Sequence, residues 1–388
     1  MNNIVDIMLG AIRAQICGVP YEIDKNISDE ELKALYGLSK QQDMAHIVAS
    51  ELGRQGLLKK DEVGAKFQKQ QMLAILRYER INYELVEVCR VLEEAGIDHI
   101  PLKGSVIRGY YPEPWMRTSA DIDMLVHIED FDKARDVIIE KLGYKTDNVK
   151  LEHDISMFAP SGVHLELHFA TVEEYCAVKA KDVLEEIWSY AYVKEGYAHQ
   201  YCLTDDLFYF YHVAHMAKHY EYGGVGIRFY LDMWLLCQFD FDGEKREELL
   251  RRGGLLTFAR VSEELCGVWF DGKAHSDRTV KMQRYVVCNG IYGTKENNVA
   301  WNQIKSGGEK NNAMRLIFLP YKQMVIKYPS LEKHKYLYPF YHIRRWCSAV
   351  LHGRTKKSVD TLKMNSEIAS SGQKDDMENM LRDLELIK

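Results

Sequence analysis

No C-x-x-C pair occurs among the eight cysteines, Cys17, Cys89, Cys176, Cys202, Cys237, Cys266, Cys288 and Cys347. A structural zinc site therefore has no ligand spacing to build on. Most of these cysteines sit in apolar stretches and read as reduced core thiols. The start, Met1-Asn2-Asn3-Ile4-Val5-Asp6, lacks the basic residues and long apolar core of a secretory signal. Without that context a disulfide framework has no support, and the cytoplasm is the expected compartment. No apolar run approaches the ~20 residues that span a bilayer, so no membrane partner is expected. An excess of positive charge is missing too: 51 Lys and Arg face 57 Asp and Glu, for a net charge of -6. Dedicated duplex nucleic-acid binding is accordingly not expected. There is no internal repeat and no long low-complexity segment.

What is present is a folded composition, 46% apolar and 28% charged over 388 residues, long enough for two or three domains. Residues 1–75 read as a helical region: Ile4, Ile7, Met8, Ile12 and Ile16 recur at helical spacing. Ser28 precedes Asp29-Glu30-Glu31, a helix start with acids in its first turn. A long amphipathic helix is predicted over 69–94, with Met72, Ile75, Leu76, Ile81, Leu85, Val88 and Leu92 as its apolar stripe and Gly96 as its stop. Residues 76–204 then alternate helix and strand. Strands are expected at 97–102 and 121–128, and as a hairpin of 155–159 and 163–169 joined by Pro160-Ser161-Gly162. Residues 205–353 read as a second helical domain, with helices over 207–220, 227–239, 245–268, 279–291, 314–326 and 337–351 and a polar linker at 305–312. Residues 354–388 read as a polar tail with a terminal helix after Ser370-Ser371-Gly372. The fold class is α+β: a small mixed sheet flanked by N-terminal and C-terminal helical regions.

The chemistry concentrates in the α/β part. On a strand Asp121 and Asp123 share a face, about 6.6 Å apart along the chain, while Ile122, Met124 and Val126 share the other. Their carboxylates can converge on one or two divalent ions. Alternation of this kind is also what any half-buried strand shows. A second strand places His164, Glu166 and His168 on one face and Leu165 and Leu167 on the other. Glu166 is a candidate third carboxylate, able to orient or deprotonate an attacking hydroxyl. The two histidines read as metal neighbours, proton donors or surface residues. Gly104-Ser105 sits at a strand-to-helix turn, where free amides and close backbone approach suit phosphate. Lys103 and Arg117 can neutralise phosphate charge.

In this order, glycine-serine turn, acidic pair, later acid, the residues resemble the polymerase-beta-type nucleotidyltransferase superfamily. The likeness is to a bacterial branch of mostly uncharacterised nucleotidyltransferases. It rests on Pro101-Leu102-Lys103-Gly104, Tyr110-Tyr111, Arg117, Asp121-Ile122-Asp123-Met124-Leu125-Val126, Gly143-Tyr144 and Glu166-Leu167-His168. It extends through His215, His219, Arg228 and Asp232 to Tyr328-Pro329 and Arg344-Arg345. Two features depart from the broad pattern: Lys103 stands where an apolar residue is usual, and fifteen residues separate Ser105 from Asp121.

The resemblance implies a nucleotidyltransferase core with Asp121, Asp123 and Glu166 as Mg²⁺ (or Mn²⁺) ligands. It implies a phosphate turn at Gly104-Ser105, an NTP as substrate, and transfer of a nucleoside monophosphate to an acceptor hydroxyl. The acceptor is unknown; the acidic balance favours a small molecule or a protein. The alternatives are a toxin that modifies tRNA, which calls for a basic channel, and an inactive scaffold that binds a nucleotide or a protein. The presence of all three carboxylates counts against the scaffold.

In the helical half, His212, His215 and His219 share a helix face. His215 and His219 have metal-ligand spacing, but the segment lacks the glutamate of a zinc-protease helix, so packing or nucleotide contact is preferred. Lys218, Arg228 and Asp232, with His168, His215 and His219, are candidates for the border of a cleft. Asp232 reads first as helix-to-helix glue. Lys333, His334, Lys335 and Arg344-Arg345 form a basic cluster, read as a solvated helix face or as partners of acids.

Overall fold

A computed structural model describes residues 2–146, 154–171, 180–221, 223–239, 241–290, 293–352 and 355–387. Cys176 lies outside the described residues; the other seven cysteines are free thiols. The longest element is the helix Glu62–Glu94, which begins seven residues before the predicted start. Asp61 sets that start, because its carboxylate accepts the Gly64 amide at 2.7 Å. At the other end Gly96 turns out at φ +65°.

The predicted stripe of this helix is covered at its C-terminal end only. Ile81, Val88 and Leu92 are buried, whereas Met72, Ile75 and Leu76 are exposed. The reason is the face: the buried line runs through Phe67, Ala74, Ile81 and Val88 at seven-residue spacing, and Met72, Ile75 and Leu76 lie off that line. The first turns bury Val63 and Phe67 with the N-terminal helices and the last turns bury Val88 and Leu92 against the sheet.

Seven strands are present among the described residues: β1 (His99–Pro101), β2 (Asp121–Val126), β3 (Lys145–Thr146), β4 (Asp154–Phe158), β5 (His164–His168), β6 (Ala191–Val193) and β7 (Tyr201–Leu203). Five form a mixed sheet in the order β1-β2-β5-β4-β3. Only β2 and β5 run parallel, and their register sets Asp121 opposite His164 and Asp123 opposite Glu166. The predicted hairpin is β4–β5, antiparallel across the turn at Gly162. The β6–β7 hairpin is absent from the sequence reading; it has three residues a side, too few for alternation to show.

The two sheet faces have different fates. Ile122, Met124, Val126, Ile155, Met157, Leu165 and Leu167 pack with Val88 and Leu92 of the long helix and with Phe131, Ala134 and Ile138 of the helix Phe131–Leu142. The opposite face carries Asp121, Asp123, His164, Glu166 and His168. There Leu125 joins the large core of the helical part.

That core holds residues from both chain ends. Met8, Ile12, Leu35 and Val48 share it with Phe210, Tyr230, Phe258 and Trp269. The helix Asp29–Gln41 starts at Ser28 in a capping box with Glu31, as its sequence indicates. Past its end the buried Gln42 side chain donates to the Val286 and Val287 carbonyls and accepts from the Ile227 amide at 3.0 Å.

The expected polar linker at 305–312 is mostly helix. The chain breaks only at Gly307-Gly308, with φ of +81° and +124°, between the helices Lys295–Ser306 and Glu309–Ile317. Gly253-Gly254 likewise divides the stretch 245–268, and the stretch 314–326 is divided at 318–320, with Pro320 opening the helix Tyr321–Lys327. The polar end folds as the helices Thr355–Ser371 and Gln373–Asp383. Sparse apolar residues at helical spacing, Met377, Leu381 and Leu384, suffice to bury it in the main core.

Leu167→Ala empties a fully buried position under the site, and should lower unfolding stability by about 2–5 kcal/mol in urea titrations. Met72→Ala, on the open stretch of the long helix, should stay within about 0.5 kcal/mol of the parent.

Candidate active site

Two neighbouring strands bring the acids together. Because β2 and β5 pair in parallel register, Asp123 and Glu166 emerge side by side, and Asp121 and His164 emerge two residues nearer the strand starts. Asp123 is 3% exposed. Its Oδ1 meets Lys103 Nζ at 2.5 Å and His168 Nε2 at 3.0 Å. The same His168 nitrogen lies 3.5 Å from Glu166 Oε2. Two donor groups result, Asp121 with His164 and Glu166, and Asp123 with Glu166 and His168. In each, the ligand atoms lie within 4.8 Å of one another. Oxygen-rich donors with an imidazole suit a hard divalent ion such as Mg²⁺ or Mn²⁺.

The electrostatics separate the three acids. Burial pushes the Asp123 carboxyl up, but Lys103 and His168 more than offset this and hold it well below the usual carboxylate range. Asp121 moves the other way, raised by burial and by the neighbouring Asp123 charge. Glu166 is lowered, chiefly by its contact with His168. Burial works against a charged His168, yet Asp123 and Glu166 together leave it above the ordinary histidine value.

The turn before the acids is built from Lys103 and Gly104. Lys103 has φ +45° and ψ -122°, a backbone conformation that non-glycine residues rarely adopt. The Leu102 amide donates to the Asp123 carbonyl at 3.0 Å and ties the turn to β2. A side chain at position 104 would meet Ser119 Cβ at 3.0 Å and Arg117 Nη1 at 3.1 Å, a fit tight enough to favour glycine. The helix here, Gly104–Ile107, is a single turn. Its Ser105, Val106 and Ile107 amides already donate to the Leu102 and Lys103 carbonyls, so they are not the open donors that a longer helix start would offer. Among the described residues Ser105 Oγ has no hydrogen-bond partner, and it lies beside a cavity of about 730 Å³ bordered by Leu85, Cys89, Tyr110, Tyr192 and Tyr201.

Other residues singled out in the sequence lie behind this turn. Arg117 is buried and paired with Asp232: its Nη2 reaches Oδ2 at 2.9 Å and its Nε sits 3.2 Å from both carboxylate oxygens. Tyr111 donates to the same carboxylate at 2.7 Å. The guanidinium expected at phosphate is thus engaged in a buried tie to the helix Ile227–Leu236. Arg228 from that helix donates to Asp43 at 2.8 Å and to the Thr118 carbonyl at 3.2 Å. The Nε2 atoms of His215 and His219 are 3.0 Å apart. Burial, then the charge of His219, holds His215 well below the ordinary histidine value. His215, with Tyr211 and His212, lines a small void that also touches Lys103 and Arg117. Neither His215 nor His219 belongs to a metal-type cluster among the described residues.

Sequence reasoning missed Asp43, Arg108 and Thr118 as parts of this frame, and singled out Tyr111 only as part of the family likeness. Arg108 holds Gly104 by donating to its carbonyl at 2.8 Å and to Ser119 Oγ at 2.8 Å. No local signal reveals such partners, since Asp43 and Arg228 lie 185 positions apart. A family model described as an uncharacterised nucleotidyltransferase matches residues 28–271. That span includes every residue of the site and more than half of the chain. No curated protein matches, and no solved structure does.

Asp232→Ala should cost about 3–5 kcal/mol in chemical unfolding, because it leaves the Arg117 charge buried and alone. The double replacement Arg117→Met with Asp232→Leu should recover most of that loss, and a double-mutant cycle measures the coupling. His168, with its raised value, contributes stability fully below its ordinary pKa near 6.5 and loses it as pH rises through the folded value. Thermal unfolding from pH 6 to 8 should therefore fall more steeply for the parent than for His168→Asn.

Proposed function

This chain belongs to the uncharacterised nucleotidyltransferase family, and on that premise we propose that it transfers a nucleoside monophosphate from an NTP to an acceptor hydroxyl at Asp121, Asp123 and Glu166. The observation that carries the reading is the parallel pairing of β2 and β5, which sets Asp123 beside Glu166 with Asp121 on the same face. The order of turn, acidic pair and later acid supports a polymerase-beta-type core. The two donor groups support a divalent ion, Mg²⁺ or Mn²⁺, held by the three carboxylates with His164 or His168 at its edge. Such an ion, when bound, neutralises triphosphate charge and favours ionisation of the acceptor hydroxyl.

The chain's own groups divide the remaining work. Glu166, kept ionised by His168, accepts the proton of the acceptor hydroxyl. The acceptor oxygen bonds the α-phosphorus as the bond to the bridging oxygen of pyrophosphate breaks, and that pair of electrons leaves with pyrophosphate. Lys103 carries a permanent positive charge at Asp123, since Asp123 raises its already high pKa in spite of burial. A swing of this flexible ammonium from Asp123 to a phosphate oxygen brings a cation to the leaving group and frees the Asp123 carboxylate, which would then be available to hold a divalent ion. With Arg117 engaged elsewhere, Lys103 is the phosphate contact of this reading. The acceptor is read as a small molecule or a protein hydroxyl.

The Lys103 contact also favours a second reading, a scaffold that binds nucleotide without turnover because the lysine blocks Asp123. A thermal-shift panel of ATP, CTP, GTP and UTP, with and without Mg²⁺, separates the two. Saturation at a hundred times Kd stabilises the native state by about 2.7 kcal/mol. The transferase reading expects a Mg²⁺-dependent shift with at least one nucleotide, lost in Asp123→Asn; a shift indifferent to Mg²⁺ supports the scaffold. No shift with any nucleotide counts against both.

With a donor in hand, Asp121→Asn and Asp123→Asn should each abolish pyrophosphate release while the fold persists. Retained activity in both would remove the carboxylates from the mechanism. Glu166→Gln should lower kcat far more than nucleotide affinity, because its proposed part is with the acceptor.

A further inference from the structure

The basic cluster near the C-terminal end belongs to a larger surface that the site does not use and that lies beyond the family match. Residues 310–352 contain eight Lys and Arg and one acid, Glu332, a net of +7 in a chain whose total is -6. The same stretch exposes large apolar side chains. On the helix Tyr338–Leu351, Phe340, Ile343, Val350 and Leu351 recur at helical spacing and are 53–82% exposed. This apolar stripe faces solvent. The opposite side of the helix packs: His342 is buried, with its ring edge-on to Phe318 at 5.7 Å and to Tyr338 at 4.6 Å. Tyr336 and Ile326, on the flanking segments, are also more than half exposed. An amphipathic helix that points its apolar face outward amid basic residues is an unfinished interface.

We propose that this surface docks on an anionic lipid bilayer, with the stripe of the helix Tyr338–Leu351 entering the headgroup and acyl boundary and the lysines and arginines meeting lipid phosphate. The chemistry selects this occupant. Aliphatic side chains such as Ile343, Val350 and Leu351 gain from acyl chains and nothing from a sugar-phosphate backbone. A two-fold contact with a second copy would set +7 against +7. The helix has 14 residues, about 21 Å, too short to span a bilayer but suited to lie in its surface. Peripheral docking needs no spanning run, so the lack of one in the sequence does not bear on it. Charge also separates this surface from the other exposed apolar stretch, Met72 and Leu76 on the helix Glu62–Glu94, where acidic and basic residues alternate.

The test is co-sedimentation of the full chain with vesicles of phosphatidylcholine alone and with about a third phosphatidylglycerol. Binding is expected to the anionic vesicles only and to weaken with added salt. Ile343→Ser with Leu351→Ser, both at exposed positions, should weaken it at least about tenfold. Lys333→Glu with Lys335→Glu should do the same, since each basic residue near such a surface strengthens binding about fivefold. Met72→Ser with Leu76→Ser should leave it unchanged. Absence of sedimentation, or sedimentation indifferent to both pairs of changes, overturns the proposal. So does a parent dimer that Ile343→Ser with Leu351→Ser dissociates in light scattering, which assigns the face to a second copy. Retention of polyuridylate by the parent and its loss in Lys333→Glu with Lys335→Glu assigns the face to RNA instead. These readouts do not involve nucleotide transfer, so the proposal stands or falls apart from the transferase reading.

Discussion

Asp123 is almost sealed from water and still charged, and the arrangement of the site follows from that constraint. A buried carboxylate is tolerated only if cations and hydrogen bonds replace the lost water. Lys103 and His168 do so from two directions, one from the turn after β1 and one from β5. To reach Asp123, Lys103 accepts a backbone conformation that a glycine would adopt at less cost. His168 in turn sits between Asp123 and Glu166, so the third acid is drawn into the same network. Asp121 lies outside these hydrogen bonds, so burial and then the neighbouring Asp123 charge leave its carboxyl, alone of the three, raised.

Behind the site a second set of buried charges holds the frame. Arg117 with Asp232, and Arg228 with Asp43, link the segment between Gly104 and Asp121 to the helix Ile227–Leu236 and to the turn after the helix Asp29–Gln41. The turn that carries Lys103 is thus fastened to both helical ends of the chain. Gly104 leaves room for Arg117 and Ser119 to sit close, and the fifteen residues from Ser105 to Asp121 are tied down by the bonds of Arg108, Tyr111, Arg117 and Thr118. Rigidity behind a site and a movable cation within it are compatible, because the lysine stem alone has to move.

The net charge of -6 conceals a division of labour. Acidic residues dominate most of the chain, while residues 310–352 carry +7. Averaging over 388 residues hides a stretch that is basic and apolar at once, and the expectation of no membrane partner rested on the lack of a spanning run alone. A surface is defined by what lies side by side in space, and composition does not report that.

Periodicity alone determined a good part of this protein. The alternation in Asp121-Ile122-Asp123-Met124 and in His164-Leu165-Glu166-Leu167-His168 assigns acids and leucines to opposite faces, since the side-chain period of a strand is two. Ser28 with Glu31 announces a helix start by local hydrogen bonding, and Pro160-Ser161-Gly162 announces a hairpin. These are short-range effects, and short-range effects are written in adjacent residues. Only the tertiary structure decided that β2 and β5 pair with Asp123 opposite Glu166, that Lys103 reaches an acid 20 positions on, and that Arg117 turns away to Asp232 across 115 positions. It also decided that the stripe of the helix Tyr338–Leu351 faces outward. Helical spacing tells which side chains share a face; whether another element covers that face depends on packing of the whole chain.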